Sequence, residues 1–403
     1  MNKNSVLISG AGIGGPTLAY WLSKGGFRPT LVEHASELRT GGYVIDFWGL
    51  GYDVAERMGL AAEIERRGYH VQEMRVVDDE GRRIAGFGTK VFGELTGGRY
   101  VTVARSELSR LLFEKSAGAS EVMFGDEVAA IDNRTNGVDV TLRHRGRRRF
   151  DLVIGADGLH SKVRRLAFGP ETWSETQLGY TVAAFEVRGY RPRDEDRYVI
   201  YNQPGRMVGR FALHDDRTLF LFVFESGACA PPAELTLATQ KAILRTTYAE
   251  GQWECPRILD ELDRVHDLYF DRVSQIKMNS WSRGRICLIG DAAFCVSLAA
   301  GQGSALAMTA AYVLAGELTR AGGAYEQAYT AYERLLRSYI ESKQRGAVRF
   351  SAAFAPKTQA GLFLRNQVIK AAAIPGLARL TFGADIIDRL RLPEYRWASA
   401  AAS

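Results

Sequence analysis

Apolar and polar positions along the chain fall into three regimes. The first opens with an apolar run, Val6-Leu7-Ile8, then glycines, then a helix-like segment, Thr17-Leu18-Ala19-Tyr20-Trp21-Leu22. A second apolar run, Thr30-Leu31-Val32, ends in Glu33. Strand, glycine turn, helix and strand are the reading. Two further apolar runs end in small residues and an acid: Leu152-Val153-Ile154-Gly155-Ala156-Asp157-Gly158 and Ile286-Cys287-Leu288-Ile289-Gly290-Asp291.

The second regime is β-rich. Residues from about 71 to 103 read as short strands around a turn at Asp78-Asp79-Glu80-Gly81, and more strands are expected near Val122, Val128 and Val138. Between them, Arg105 and Ser106 open a helix through Leu108, Leu111 and Leu112, with Ser106 as its cap. Residues from about 180 to 224 read as an antiparallel meander with turns at Pro204-Gly205 and Asp215-Asp216. The third regime is helical, from Ser304 to Ala321 and again from 325 to the end, broken at Pro356, Pro375 and Pro393.

With 403 residues the chain exceeds one small core, so two structural regions are expected. Hydrophobic residues at 46% and charged residues at 24% are ordinary for a globular protein. The net charge of +6 comes from scattered residues, with one dense run at Arg143-His144-Arg145-Gly146-Arg147-Arg148-Arg149. That run sits between β-like stretches and reads as a solvated hairpin tip. No zinc spacing or RNA-binding aromatic motif accompanies it, so no nucleic-acid partner is expected. The four cysteines form no CxxC pair and no secretory segment is recognised, which suggests reduced thiols and a cytoplasmic location. The uncharged stretch from Ala292 to Gly316 reads as a buried loop and helix, not a membrane span, because Gly301, Gln302, Gly303, Ser297 and Ser304 interrupt it.

The spacing of Gly10, Gly12, Gly14 and Gly15 carries the first chemistry. Gly10 allows a tight turn, Gly12 lets backbone approach a pyrophosphate, and Gly15 lets helix and strand pack closely. Glu33 follows at about the 20-residue spacing of an acid that holds a ribose hydroxyl. Phosphates would sit on the free N–H groups at the helix start.

Three motifs in order then identify a resemblance: the Gly10–Gly15 turn, Asp157-Gly158, and Gly290-Asp291 with Gly301-Gln302-Gly303. Over residues 4–330 the chain resembles the single-component FAD-dependent aromatic hydroxylases, the p-hydroxybenzoate hydroxylase-like group. The stretches Gln275 to Asp291 and Tyr312 to Leu318 look closest to the tetracycline-inactivating flavin monooxygenases. The resemblance implies an α/β fold: a glutathione reductase-type Rossmann FAD-binding domain, an antiparallel β-sheet substrate domain, and C-terminal helices. The expected division is residues 1–72, 100–172 and 270–325 for FAD, 73–99 and 173–269 for substrate, and 326–403 for the helices.

It also implies roles. Gly10, Gly12, Gly14 and Gly15 match the pyrophosphate cradle and Glu33 the ribose acid. Arg39 lies where the family has an arginine near flavin or NADPH, Asp46 and Arg105 match flavin-contacting positions, and Asp157 matches an acid used for both FAD and NAD(P)H. Asp291 matches the acid on the ribityl chain, with Gly303 and Ser304 at the flavin's pyrimidine edge. The implied reaction takes hydride from NAD(P)H, forms a flavin C4a-hydroperoxide with O2, and delivers one oxygen atom to a phenolic or polycyclic aromatic small molecule, a tetracycline-like or polyketide compound among them. No side chain is assigned as acid or base. Arg206, Phe220, Phe222 and Phe294 are the candidate substrate contacts, each set against a structural role because core is the preferred reading for most of the meander's aromatic residues. The helices with apolar positions Leu362, Phe363, Val368 and Ile369 are expected to cover the entrance. A monomer or weak dimer without integral membrane association is expected.

The chain departs from the family pattern at Phe294, commonly His; Leu298, commonly Pro; Ala305, commonly Asn; and His34, commonly a more basic residue. Two other readings stay open. One is a flavin reductase or dehydrogenase without peroxide chemistry; the other, motivated by the departures at Phe294, Leu298 and Ala305, is a flavoprotein that holds a drug-like ligand without turnover. A flavin halogenase is disfavoured because no WxWxIP segment occurs.

Overall fold

The computed structural model describes residues 4–38, 41–227, 235–297, 301–374, 388 and 390–397. Arg39, Leu298 and Cys229 lie outside the described residues. The chain begins with β1 (Ser5–Ser9), α1 (Gly14–Lys24), β2 (Arg28–Glu33), β3 (Val44–Trp48), α2 (Leu50–Arg57) and α3 (Ala61–Arg67). Next come β4 (Glu73–Val77), β5 (Arg83–Gly88), α4 (Lys90–Leu95), β6 (Tyr100–Ala104), α5 (Arg105–Ser116) and β7 (Glu121–Phe124). A meander follows, β8 (Val128–Arg134), β9 (Gly137–Leu142) and β10 (Gly146–Phe150), and then β11 (Leu152–Gly155) and α6 (Lys162–Ala167).

The second half carries the long strands β12 (Trp173–Arg188), β13 (Arg197–Gln203), β14 (Arg206–Ala212) and β15 (Arg217–Glu225), with α7 (Leu237–Thr247) and α8 (Cys255–Glu261) behind them. It continues through β16 (Tyr269–Met278), β17 (Ser282–Arg283), β18 (Ile286–Leu288), α9 (Asp291–Phe294), α10 (Gly303–Arg320), α11 (Tyr325–Phe354) and α12 (Gln359–Ala372).

Two sheets organise the molecule. The first has the order β17-β18-β11-β1-β2-β7, with β18 to β7 all parallel. Val6, Leu7 and Ile8 are fully buried, as expected of a parallel strand covered on both faces. The chain leaves β1 toward β2 on one side and returns through β11 on the other. The carboxyl end of β1 is therefore the topological switch point, where open α/β sheets bind ligands. The second sheet has the order β16-β12-β15-β14-β13-β4-β5 and is antiparallel except at β13/β4. β16 pairs along β12, so the whole of Tyr269–Met278 belongs to this second sheet, and the expected domain boundary at 270 falls inside a strand.

Other local expectations also change. The stretch after β5 contains the short helix α4 rather than continuous strand. α5 begins at Arg105 with Ala104 at its cap position, so Ser106 lies inside the helix and caps nothing. The dense arginine run forms the turn and second strand of the β9/β10 hairpin. Its side chains pair with acids: Arg143–Glu127 at 2.9 Å, Arg145–Asp126 at 3.3 Å, Arg147–Asp139 at 2.8 Å and Arg148–Glu121 at 2.9 Å. Among the described residues, no helix is long and apolar enough to cross a membrane.

Candidate active site

The glycine turn is built by close approach. Gly10 has φ of +105°, and a Cβ there would stand 2.5 Å from the Ala156 carbonyl oxygen. A Cβ on Gly15 would stand 1.9 Å from the Gly10 carbonyl oxygen, so only glycine lets α1 start this close to β1. No side chain caps α1, whose N-cap is Ile13, and no acid stands in its first turn. Its leading N–H groups are thus available to an anion. Glu33 reaches back across the turn and accepts the Ala11 N–H at 2.8 Å, which places the acid beside the glycines.

Two neighbouring turns close around the same point. Asp157 accepts the Ser161 hydroxyl at 2.5 Å and the Lys162 and Val163 N–H groups at 2.8 and 3.0 Å. Its carboxylate is therefore anchored to the start of α6. Arg164, buried in α6, donates to Ala292 O at 2.7 Å and Leu159 O at 2.6 Å, which ties the Asp157 turn to the Asp291 turn. Asp291 follows Gly290 at φ of +58°. Burial pushes its carboxyl up, against the pull of the Arg105 guanidinium. Asp46 is also raised by burial, and it accepts the Thr102 hydroxyl at 2.6 Å and the Tyr198 phenol at 3.1 Å.

All of these turns open on one cavity of about 1290 Å³. It is lined by Gly10, Gly12, Gly14, Glu33, Asp46, Arg105, Asp157, Asp291, Gly303 and Ser304. Gly15 lies behind it, in the contact with Gly10. The opposite wall is one face of the second sheet: Ile200, Met207, Gly209, Phe211, Leu219, Leu221 and Val223. Tyr43 and Tyr269, with rings 5.3 Å apart, stand at the junction, and burial pushes the Tyr43 phenol up to about 12. Both phenols stay neutral at physiological pH.

The four expected substrate contacts are placed elsewhere. Phe220 and Phe222 point to the other face of the sheet, against Phe185, Leu244 and Tyr248, because β side chains alternate and Leu219, Leu221 and Val223 take the cavity side. Arg206 donates to Thr247 O on α7. Phe294 packs on Trp281, ring centroids 4.6 Å apart, in a separate cavity of about 320 Å³. None of the described residues of α11 or α12 lines the large cavity. Leu362 and Ile369 are buried while Phe363 and Val368 are exposed, so only half of the expected apolar face is used.

Sequence reasoning missed Arg164, which no local spacing distinguishes from its neighbour Arg165. It also missed Ser274 and Ser297, which are buried on the cavity with no hydroxyl partner among the described residues. A glycine cradle beside an uncapped helix and the half-buried Glu33 on the neighbouring strand fit the pyrophosphate and ribose of FAD. Together with the apolar sheet wall they fit a dinucleotide-dependent enzyme, with the cavity lying between the two sheets.

Comparison with known proteins gives the class its family. A family model for the FAD binding domain matches residues 3–348. A flavin-dependent monooxygenase from an unknown prokaryotic organism is 32% identical over 390 residues, which cover 97% of this chain and 98% of that relative. The crystal structure of tetracycline destructase Tet(51) is 30% identical, covers 98% of this chain and 100% of its own, and superposes with a TM-score of 0.83. Klebsiella pneumoniae HpxO, solved with FAD and uric acid, shares the fold at 23% identity and a TM-score of 0.78, over 95% of this chain and 96% of its own. The chain belongs to the FAD-binding-domain family and is an FAD-dependent monooxygenase.

Proposed function

We propose that the protein transfers one oxygen atom from O2 to a phenolic or polycyclic aromatic small molecule, with NAD(P)H as reductant. Tetracycline-like and polyketide compounds belong to that class. The observation that carries the reading is the continuity of the cavity from the Gly10–Gly14 cradle to the apolar wall of Leu219, Leu221 and Val223. When bound, FAD supplies the redox chemistry, accepting reducing equivalents and activating oxygen.

The chain's own residues do the rest. The N–H groups after Gly12 hold the pyrophosphate and Glu33 the adenosine ribose. Asp291 and the start of α10 at Gly303 and Ser304 hold the flavin end, where Arg105 balances the Asp291 charge. The sheet wall excludes water from the reacting face and gives an aromatic ring a surface to lie on. In this division the parallel sheet serves the cofactor, and the second sheet, β16 included, serves the substrate. The free, buried Cys255, Cys287 and Cys295 fit a reducing cytoplasm.

The departures at Phe294 and Ala305 leave turnover favoured over ligand sequestration. Neither residue lines the cavity: Phe294 packs on Trp281, and Ala305 packs against Gly51. The test is aerobic incubation with NADPH and a panel of phenolic and tetracycline-like compounds, followed by mass spectrometry. A gain of one oxygen that disappears under argon is the expected result. Conversion without oxygen would favour a reductase, and unchanged mass across the panel would overturn the reading.

A further inference from the structure

The sheet wall of the cavity has a position without a side chain, Gly209, in the middle of β14. Its neighbours are Ile200 across β13 and Leu221 across β15, both of which line the cavity. A glycine inside a strand weakens the strand. It is ordinarily explained by a bulge, a bend or a close backbone approach.

None of these applies here. The ladders run in register through Gly209 on both sides. Its φ is not positive. A Cβ built on it would meet Leu221 Cβ, Leu221 O and Met207 Sδ, each at 3.7 Å, which is ordinary contact. Gly155 shows what a glycine required by packing looks like: a Cβ there would stand 2.5 Å from Leu288 Cδ2. The fold has room for a side chain at 209, and the strand would gain from one. What the missing side chain leaves is open space over the backbone at 209, bordered by Ile200, Met207, Phe211 and Leu221, on the face that bounds the cavity.

We infer that Gly209 selects the substrate class: a flat, fused-ring aromatic lies across the sheet over this position, in space that a side chain would fill. A single ring can sit on Leu219 and Leu221 alone, whereas a fused-ring system needs an uninterrupted plane. Met207 at the rim adds a polarizable sulfur contact to the ring edge. This inference rests on the aromatic-substrate reading above.

The test measures binding without turnover. FAD-loaded wild-type protein and the Gly209→Leu variant, without NADPH, are titrated with alizarin, a three-ring dihydroxyanthraquinone, and with the single-ring phenol p-cresol. Gly209→Leu is expected to weaken alizarin at least about tenfold and p-cresol less than about twofold. The thermal midpoint should be unchanged or higher, because leucine suits a strand better than glycine. Gly209→Ala, which the 3.7 Å contacts accommodate, should shift alizarin in the same direction by less and serves if the leucine variant does not fold. Equal losses for both ligands, no loss for either, or a fall in stability with Gly209→Ala would overturn the inference alone. Wild-type protein that binds neither ligand would overturn the aromatic-substrate reading as well.

Discussion

The two walls of the cavity are made in opposite ways. The glycine side is backbone: Gly10 and Gly15 let chains meet at distances no side chain permits, Gly290 turns the chain at φ of +58°, and the acids Glu33, Asp157 and Asp291 stand at strand ends beside them. The opposite wall is side chain: alternate residues of β13, β14 and β15 present Ile200, Met207, Phe211, Leu219 and Leu221. A backbone site has little tolerance, because a misplaced Cβ collides with atoms that cannot move. A side-chain wall can be repacked, so specificity can change there while the cradle stays the same.

The largest effect expected from that contrast is at Gly15. Gly15→Val puts Cβ 1.9 Å from the Gly10 carbonyl oxygen, and the clash should cost about 3 kcal/mol or more and abolish retained flavin. Thermal unfolding and the flavin absorbance of the purified variant check it. A Gly15→Val protein that keeps wild-type stability and colour would break the claim that the cradle is rigid.

Next comes the back of the sheet. Phe222 is 1% exposed and its ring stands against Phe185 and Tyr248 at centroid distances of 5.7 and 5.1 Å. Phe222→Ala should cost about 3–5 kcal/mol of stability. Leu221→Ala, on the cavity face, should instead move aromatic-ligand affinity with a smaller loss of stability. Chemical denaturation read beside ligand titration separates the two faces, and equal behaviour of the pair would contradict the assignment.

Arg105→Ala should weaken FAD by about 2 kcal/mol, roughly thirtyfold, since it removes a charged hydrogen-bond donor beside Gly12 and the cation that offsets Asp291. Without that cation the Asp291 carboxyl moves further up, so FAD retention should become more sensitive to acid. Flavin fluorescence on dilution at several pH values reports both.

The smallest effect is at the seam between the two sheets. His160, 53% exposed, meets Asp271 of β16 at 3.1 Å, and that hydrogen bond raises its pKa above 6.5. Glu175 adds to the rise and Arg165 opposes it. A raised folded value means the pair's contribution is fully present below about pH 6.5 and is lost as pH rises through the folded value. Given the exposure, His160→Gln should cost less than about 1 kcal/mol at low pH and nothing at high pH. Denaturant midpoints across that range measure it.

The same contrast explains what could be read along the chain. The cradle was legible because its determinants are local: Gly10 to Gly15, then Glu33, then two apolar runs that each end in an acid. The wall was not. Leu219-Phe220-Leu221-Phe222-Val223-Phe224 is apolar at every position, because the cavity covers one face and α7 and α8 cover the other. An alternation of two cannot assign faces when both are buried: core was the preferred reading for most of the aromatic residues, and Phe220 and Phe222, kept beside it as candidate contacts, lie on the packed face. α4 was missed because its six residues, Gly93 among them, hold too few turns to show a helical period. Arg164 acts through carbonyls far away in sequence, at Ala292, which no spacing rule detects.

The central claim is that cradle and sheet wall bound one continuous site, with FAD on the cradle and the aromatic substrate between its ring system and the wall. Its most direct test is an experimental structure of the protein with FAD. The account predicts the pyrophosphate against Gly10, Gly12 and Gly14, the adenosine ribose at Glu33, and the ring system between Asp291 and the wall that carries Leu221 and Gly209. Flavin bound away from Gly12, or a ring system with no part of that wall beside it, would contradict the account.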